Sequence, residues 1–261
     1  MQGYGAGFAK SYNKRLVGYA KKLGPDLMAY CNTNQFGKDS KVLDLCCGTG
    51  HLARYFLERG YRVTGSDLSE AMLDLAREKN KDYIDAGQAR FFQADAARIE
   101  TDERYDLVFS TYDALNLLPD LDDLKSCFQC VFKVMTERSM FVFDLVTRRC
   151  LRLYDGVNYK SFPNSVVMNR ALYDSENDKV YVQYAGFEEA GDGLYERYEE
   201  SVIHTVFNMA DVEAALLEAG FSHVYTSAEL KFGIPIPDPE RLNRAYFIAR
   251  KGSTEPKPEE G

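Results

Sequence analysis

What this chain lacks removes whole classes of function. No apolar run approaches the roughly 20 residues that a membrane-spanning helix needs, and the opening MQGYGAGFAKSYNKRL holds no apolar stretch of signal-peptide length. Bases are in deficit, with 32 Lys and Arg against 40 Asp and Glu and a formal net charge of −8. A polyanionic partner such as nucleic acid is therefore not expected, because phosphate backbones are held largely through Lys and Arg. The six cysteines (31, 46, 47, 127, 130 and 150) show no spacing of a small disulfide framework. Cys127 and Cys130 spell C-x-x-C inside LKSCFQCVFKVM, which reads as helix, so two half-buried cysteines are expected there rather than a zinc or redox site. No metal site, no membrane contact and no internal repeat are expected. A reduced, cytoplasmic protein follows.

What is present is an ordinary globular composition: 261 residues, 45% hydrophobic and 28% charged, ample for a full core. Residues 8–31 carry apolar positions at helical spacing, interrupted by Gly24-Pro25, which predicts two helices. Strands are predicted at KVLDLC (41–46), RVTGSD (62–67), ARFFQAD (89–95), YDLVFS (105–110) and SMFVFDL (139–145). Helices alternate with them at 51–60, after Ser69, and at 121–135. That alternation predicts an α/β fold with a parallel sheet covered on both faces. After Leu145 the pattern changes to three strand-like runs, NSVVMNRALYD, KVYVQYAGFEE and GLYERYEESVIHTVF, separated by SEND and AGDG. A helix at MADVEAALLEAG, a strand at HVYTSAEL and a last strand at RLNRAYFIARK restore the first pattern. The division expected is a helical flap (1–36), an α/β core (37–147 and 208–251), an inserted antiparallel sheet acting as lid (148–207), and a disordered tail (252–261).

The stretch VLDLCCGTGHL runs from a strand through a glycine turn into a helix, the arrangement that forms a ligand crevice at the carboxyl edge of an open sheet. With Ala53 it satisfies G-x-G-x-x-A, yet that pattern alone does not separate a dinucleotide from other nucleosides. The acids separate them. Asp44 lies at the strand end, where its carboxylate would face a pyrophosphate at short range, an unfavourable pairing. S-adenosylmethionine has no phosphate, and offers a sulfonium, an ammonium and a ribose. Asp67, 23 residues on, can accept from both ribose hydroxyls, and Asp95 can take a bond from an adenine amino group. A P-loop is excluded because no Lys follows the turn. The competing structural role for each acid is to cap the following helix or stand in solvent.

On these residues the chain resembles a class I S-adenosylmethionine-dependent methyltransferase. VLDLCCGTG, VTGSDLSEAML, FFQADAARI, YDLVFSTYDALNLL and FVFDL match its segments in order. The resemblance implies a Rossmann-like seven-stranded sheet whose last strand is antiparallel. A closer likeness is to bacterial small-molecule members, aminosugar N-methyltransferases among them, with an antiparallel sheet inserted after the fifth strand. Tyr4 to Tyr12, DALNLL from Asp113 and YERYEE from Tyr195 carry it, and imply that flap and inserted sheet close over the substrate.

Carried over by position, Asp44 and the backbone of Cys46, Gly48 and Gly50 surround the methionine moiety. Asp67 holds the ribose, Leu68 and Met72 pack on the adenine, and Asp95 with the Ala96 amide meets the adenine edge. Ser110 lies beneath the methyl donor and Tyr12 closes from the flap. Cys46 stands where the family usually has glycine, so a backbone conformation that tolerates a Cβ is expected there. Asn13 stands where an acid is frequent, and Val202 and Thr205 replace a His and an Arg of the related group.

Methyl transfer is an in-line displacement, so the main task is to hold nucleophile and donor at attack distance without water. A general base is required only if the nucleophile starts protonated. Candidates are Tyr12, Tyr112 and His204, with Asp113 and Asn116 nearby in sequence. The tyrosines of the insert (154, 159, 173, 181, 184, 195 and 198) are candidate substrate wall, though strand alternation turns half of them elsewhere. The expected function is N- or O-methylation of a small molecule by a monomer or homodimer. A protein or tRNA methyltransferase and a non-catalytic cofactor-binding regulator are the alternatives.

Overall fold

The computed structural model describes residues 4–15 and 17–252; the tail expected to be disordered lies outside them from residue 253 onward. In chain order the elements are α1 (Ala6–Arg15), α2 (Val17–Thr33), β1 (Lys41–Leu45), α3 (His51–Leu57), β2 (Arg62–Asp67), α4 (Glu70–Lys79), α5 (Lys81–Asp85) and β3 (Ala89–Gln93). There follow β4 (Tyr105–Ser110), α6 (Leu121–Val134), β5 (Met135–Val146), α7 (Arg148–Arg152), β6 (Gly156–Phe162), β7 (Ser165–Asp174), β8 (Lys179–Gly191) and β9 (Leu194–Thr205). The chain closes with α8 (Met209–Glu218), β10 (His223–Ser227) and β11 (Arg244–Arg250).

Seven strands form one sheet in the order β10-β11-β5-β4-β1-β2-β3. Six run in one direction and β11 alone is reversed, pairing antiparallel with both β10 and β5. The expected sheet, with its final strand reversed, is what the chain forms. Alternation along each strand splits the core between the two faces. Leu43, Leu45, Val108 and Phe141 face α6 and α8. Val42, Val63, Leu107 and Val142 face α2, α3 and α4. Helix starts are fixed by side-chain caps: Ser69 Oγ accepts from Met72 N, Asp120 from Asp123 N, and Asn208 from Ala210 N and Asp211 N.

A second sheet of four antiparallel strands, β6-β7-β8-β9, packs over one end of the first. Three of its strands match the sequence expectation. The fourth, β6, does not, because all seven of its residues are exposed and its sequence GVNYKSF carries no apolar alternation. The short α7 that precedes it was likewise unsignalled.

Two further boundaries differ from expectation. Gly24-Pro25 does not divide the N-terminal helices; both residues sit inside α2. A Cβ at Gly24 would stand 2.6 Å from the Tyr55 ring, so this glycine lets α2 lie close on α3 rather than ending a helix. β5 begins at Met135, four residues earlier than expected, with an irregular register between the Tyr105 and Leu107 pairings to β4.

Candidate functional site

β1 is flanked by β2 and β4, so the chain reverses its direction of travel across the sheet at β1, the position where open α/β sheets bind ligands. A cavity of about 1280 Å³ lies there, floored by the carboxyl ends of β1, β2 and β4 and roofed by α1 and the second sheet. Its lining includes Tyr12, Cys46, Gly48, Asp67, Leu68, Met72, Asp95, Ala96, Tyr112 and His204 among the residues singled out from the sequence. Asp44, Gly50 and Ser110 stand behind the wall.

The glycine turn alternates left-handed residues: Cys46 at φ 59°, Gly48 at 53° and Gly50 at 70°. At Cys46 this corrects the expectation of a conformation that suits a Cβ. A left-handed L-residue costs about 1–2 kcal/mol, and the turn imposes it because the chain must reverse sharply from β1 into α3. The Cys46 side chain packs beside the α6-side core. At Gly48 a Cβ would lie 3.3 Å from the Tyr12 ring, so its absence lets the flap tyrosine rest on the turn. Gly50 is the N-cap of α3 and offers no side-chain acceptor. Asp44, from β1, supplies it: its Oδ2 accepts from Ala53 N at 3.1 Å. Burial raises the Asp44 carboxyl well above the ordinary range, opposed by that amide. Asp44, Thr49 and Thr111 line a small recess of about 30 Å³ that shares Tyr12, Cys46 and Tyr112 with the main cavity. Thr49 Oγ1 is buried there without a partner among the described residues.

Asp67 bridges two turns. Its Oδ2 accepts from Gly48 N at 2.8 Å and its Oδ1 from Ser69 N at 2.9 Å. Burial raises its pKa and the amides oppose the rise. Each carboxylate oxygen keeps a lone pair for a further donor. Asp95 takes the structural role weighed for it: its Oδ1 accepts from Ala97 N at 2.9 Å and its Oδ2 pairs with Arg98 at 2.6 Å, while the residue still lines the cavity. Ser110 shares the strand face of Val108, which alternation turns into the core, and its hydroxyl is buried without a partner. Thr111 occupies the wall instead.

Beyond β4 the backbone is unusual. Tyr112 (φ 69°) and Asp113 (φ 54°) are consecutive left-handed residues, a conformation sustained only where surroundings over-determine it. The fully buried Asp144 of β5 does so: Oδ1 accepts from Tyr112 N at 2.7 Å and Oδ2 from Asp113 N at 2.9 Å. Arg244 of β11 then joins Asp144 to Asp113, donating to Asp144 Oδ2 and lying 2.5 Å from Asp113 Oδ1. Across the cavity His204, on β9, is 4% exposed; Nδ1 is 3.7 Å from Asp113 Oδ2, and neither ring nitrogen has a hydrogen-bond partner among the described residues. Burial holds its pKa below the ordinary imidazole value, with Asp113 opposing and Arg244 assisting. Burial raises the phenols of Tyr12 and Tyr112, which remain protonated at neutral pH.

Asn116 plays a structural part. Its amide donates to Thr205 O at 2.9 Å and Val146 O at 3.3 Å, and its Oδ1 accepts from Val146 N at 2.9 Å, tying the floor to both sheets. Of the insert tyrosines, Tyr154 and Tyr184 line the cavity. Tyr198 packs under the flap with Phe8, Tyr173 bonds Arg148, and Tyr159, Tyr181 and Tyr195 are exposed. The YERYEE segment anchors the flap: Glu200 accepts from Gly5 N at 2.8 Å, and Tyr198 Oη lies 3.0 Å from Ser11 Oγ. Glu188 completes the seal, accepting from Ser11 Oγ at 2.5 Å and Lys14 Nζ at 2.8 Å. On the opposite side Lys79 Nζ donates to Asn13 Oδ1 at 2.6 Å and Thr49 O at 2.7 Å.

The architecture is shared with a solved S-adenosylmethionine-dependent methyltransferase from Clostridium acetobutylicum, with TM-score 0.81 and 22% identity over 94% of this chain and 98% of that one. It is shared also with the sugar N-methyltransferase KedS8 from Streptoalloteichus, with TM-score 0.74 and 17% identity over 97% and 95%. Residues 42–138 match the family model described as a methyltransferase domain. Residues 42–138 carry a methyltransferase domain. Proteins of Geobacillus sp. (strain WCH70) and Bacillus subtilis (strain 168), both named provisionally as methyltransferases, are each 28% identical to this methyltransferase. The alignments cover 83% and 82% of its chain and 87% and 85% of theirs.

The residues present fit the family's methyl donor. Gly48 lines the cavity with Tyr12 resting against it, the Thr49 hydroxyl has no partner among the described residues at the recess, and Asp67 holds two spare lone pairs above β2. When bound, S-adenosylmethionine supplies an electrophilic methyl group on a positive sulfur. Among the described residues of the methyltransferase, no group of three or more His, Cys, Asp or Glu side chains could hold a metal, and no helix is long and apolar enough to cross a membrane. Sequence reasoning missed Arg244, Asp144, Thr111 and Glu188. Asp144 was visible inside FVFDL as an acid ending a buried strand; Arg244 gave no signal, being one basic residue at the edge of a strand 100 positions away.

Proposed function

We propose that this methyltransferase methylates a small-molecule acceptor enclosed between the core sheet and the lid. The observation that carries this reading is the cavity itself: about 1280 Å³, above the usual range for one ligand, with the glycine turn at one side and His204 at the other. The division of the chain into flap (1–36), core (37–147 and 208–251) and lid (148–207) assigns the donor to the core and most of the acceptor wall to the lid. Asp44 and the backbone of Cys46, Gly48 and Gly50 shape the methionine end, Gly50 and Asp44 from behind the wall. Asp67 accepts from the ribose hydroxyls, Leu68 and Met72 flank the adenine, and Asp95 with the Ala96 amide meets its edge. Ser110 supports the turn through Cys46, and Tyr12 covers the donor. A net charge of −8 and a roof tied down on both sides favour a small metabolite over a protein or tRNA acceptor.

The test is calorimetry followed by turnover. S-adenosylhomocysteine should release binding heat and NAD should not; heat with NAD alone would refute the donor assignment. Single-turnover transfer of labelled methyl into a small-metabolite pool is then expected. Tight cofactor binding with no transfer to any acceptor would favour a non-catalytic regulator instead.

A further inference from the structure

His204 stands out among the buried polar groups. A neutral imidazole has one N–H to give and one lone pair to offer, and a buried side chain that satisfies neither is costly. His204 is 4% exposed, lines the cavity and has no partner at either nitrogen among the described residues. One side of the ring faces Asp113, whose Oδ1 is taken by Arg244 and whose Oδ2, 3.7 Å from Nδ1, is the acceptor still open to it. With its hydrogen on Nδ1, the ring leaves the Nε2 lone pair unpartnered at a residue that lines the cavity. Asp113 is itself fixed, because Asp144 holds its backbone N–H and Arg244 clamps both carboxylates. It lies two residues after Thr111, which walls both the main cavity and the donor recess.

Resting on the donor reading above, we propose that the acceptor presents a hydroxyl group, and that His204 Nε2 takes its proton during methyl transfer with Asp113 as the positioning residue. The acceptor oxygen's electron pair forms the bond to the methyl carbon as the carbon–sulfur bond breaks, its pair returning to sulfur. The O–H bond breaks to His204, giving an imidazolium beside Asp113.

The chemistry favours oxygen over nitrogen. As the C–O bond forms, the hydroxyl proton becomes strongly acidic, so even a weak base of ordinary pKa about 6.5 receives it downhill. A methylated amine stays an ammonium near pKa 10, which imidazole cannot deprotonate. The acceptor-side carboxylates are each already paired with a cation, Asp113 with Arg244 and Glu188 with Lys14. The cavity-lining cations without a carboxylate partner among the described residues are Arg15, Lys160 and Lys179, the last bonded to Pro119 O and Thr205 Oγ1.

The experiment uses the full chain loaded with S-adenosylhomocysteine, its histidines labelled with nitrogen-15; there are only three, so each signal is assignable. His204 should show the Nδ1–H tautomer, and Asp113→Asn should shift or mix that tautomer while His51 and His223 stay put. A protonated Nε2 in the unaltered protein, or a His204 signal indifferent to Asp113→Asn, would overturn the proposal. Turnover with labelled methyl donor is then read on pairs of aromatic and sugar acceptors that differ only in hydroxyl against amine. The hydroxyl members should be methylated, and His204→Gln should lower that rate by about 10²–10⁴-fold with affinity for S-adenosylhomocysteine within about twofold. Methylation of the amine members alone, or undiminished rates in His204→Gln, would refute it. Failure of the unaltered protein to bind S-adenosylhomocysteine would overturn the donor reading and this proposal together, so the two failures are distinct.

Discussion

Replacing Asp67 with alanine tests the donor site where its geometry is most constrained. The carboxylate fixes Gly48 N at 2.8 Å and Ser69 N at 2.9 Å, so its position is set before any ligand arrives. A hydrogen bond to a charged group contributes about 1.5–3 kcal/mol. Losing two ribose bonds therefore costs about 3 kcal/mol at the lower bound, roughly two orders of magnitude in affinity by the standard conversion. Two backbone amides also lose their acceptor, loosening the turn. Calorimetry with S-adenosylhomocysteine measures the total, and the same titration with 5′-methylthioadenosine and its 2′-deoxy analogue isolates the ribose part. The unaltered protein should prefer the ribo form, and Asp67→Ala should abolish that preference. If Asp67→Ala binds within twofold of the unaltered protein, or keeps the preference, the ribose does not sit on Asp67.

Three other outcomes follow from particular contacts. Burial raises the Asp44 carboxyl, and a bound cation would lower it again. Binding then releases a proton, so affinity should rise with pH until the free-protein pKa is passed; Asp44→Asn should flatten that slope, read by calorimetry in buffers of different ionisation enthalpy. Cys46→Gly should raise the unfolding free energy by about 1 kcal/mol, read by denaturant titration, the left-handed strain relieved, with affinity for S-adenosylhomocysteine unchanged. Asn116→Ala should destabilise by about 2–4 kcal/mol, because it strands Val146 N and the Thr205 and Val146 carbonyls in the interior; thermal denaturation measures it.

The donor half was the legible half, and the reason is local. Around β1, β2 and β3 the side chains that line the crevice lie at a strand end or within a few residues after it, so strand, turn and acid appear together in the sequence. Leu68, Met72 and Ala96, carried over from the family resemblance, all line the cavity. Ser110 was misplaced by one position, because strand alternation sends it into the core and its neighbour Thr111 to the cavity. The network around Asp113 was illegible for the opposite reason. It is assembled from the segment after β4 and from β5, β9 and β11, which the chain visits at 113, 144, 204 and 244, and no single segment carries the pattern. β6 was missed because an edge strand exposed on both faces has no hydrophobic period to detect.

The two sheets share no strand pairing. An inserted or deleted residue in β6, β7, β8 or β9 reverses which side chains face the cavity along that strand, yet leaves every hydrogen bond of the seven-stranded sheet in register. On the division proposed above, acceptor choice can therefore drift by small lesions in the second sheet without disturbing the strand pairing of the first. The coupling that resists such drift runs through Asn116, the Thr205 hydroxyl on Leu118 O, Val146 of β5 packed with Val180 and Val182 of β8, and the Glu188 and Glu200 contacts to the flap. A family built on this plan can keep its reagent constant while changing its target strand by strand.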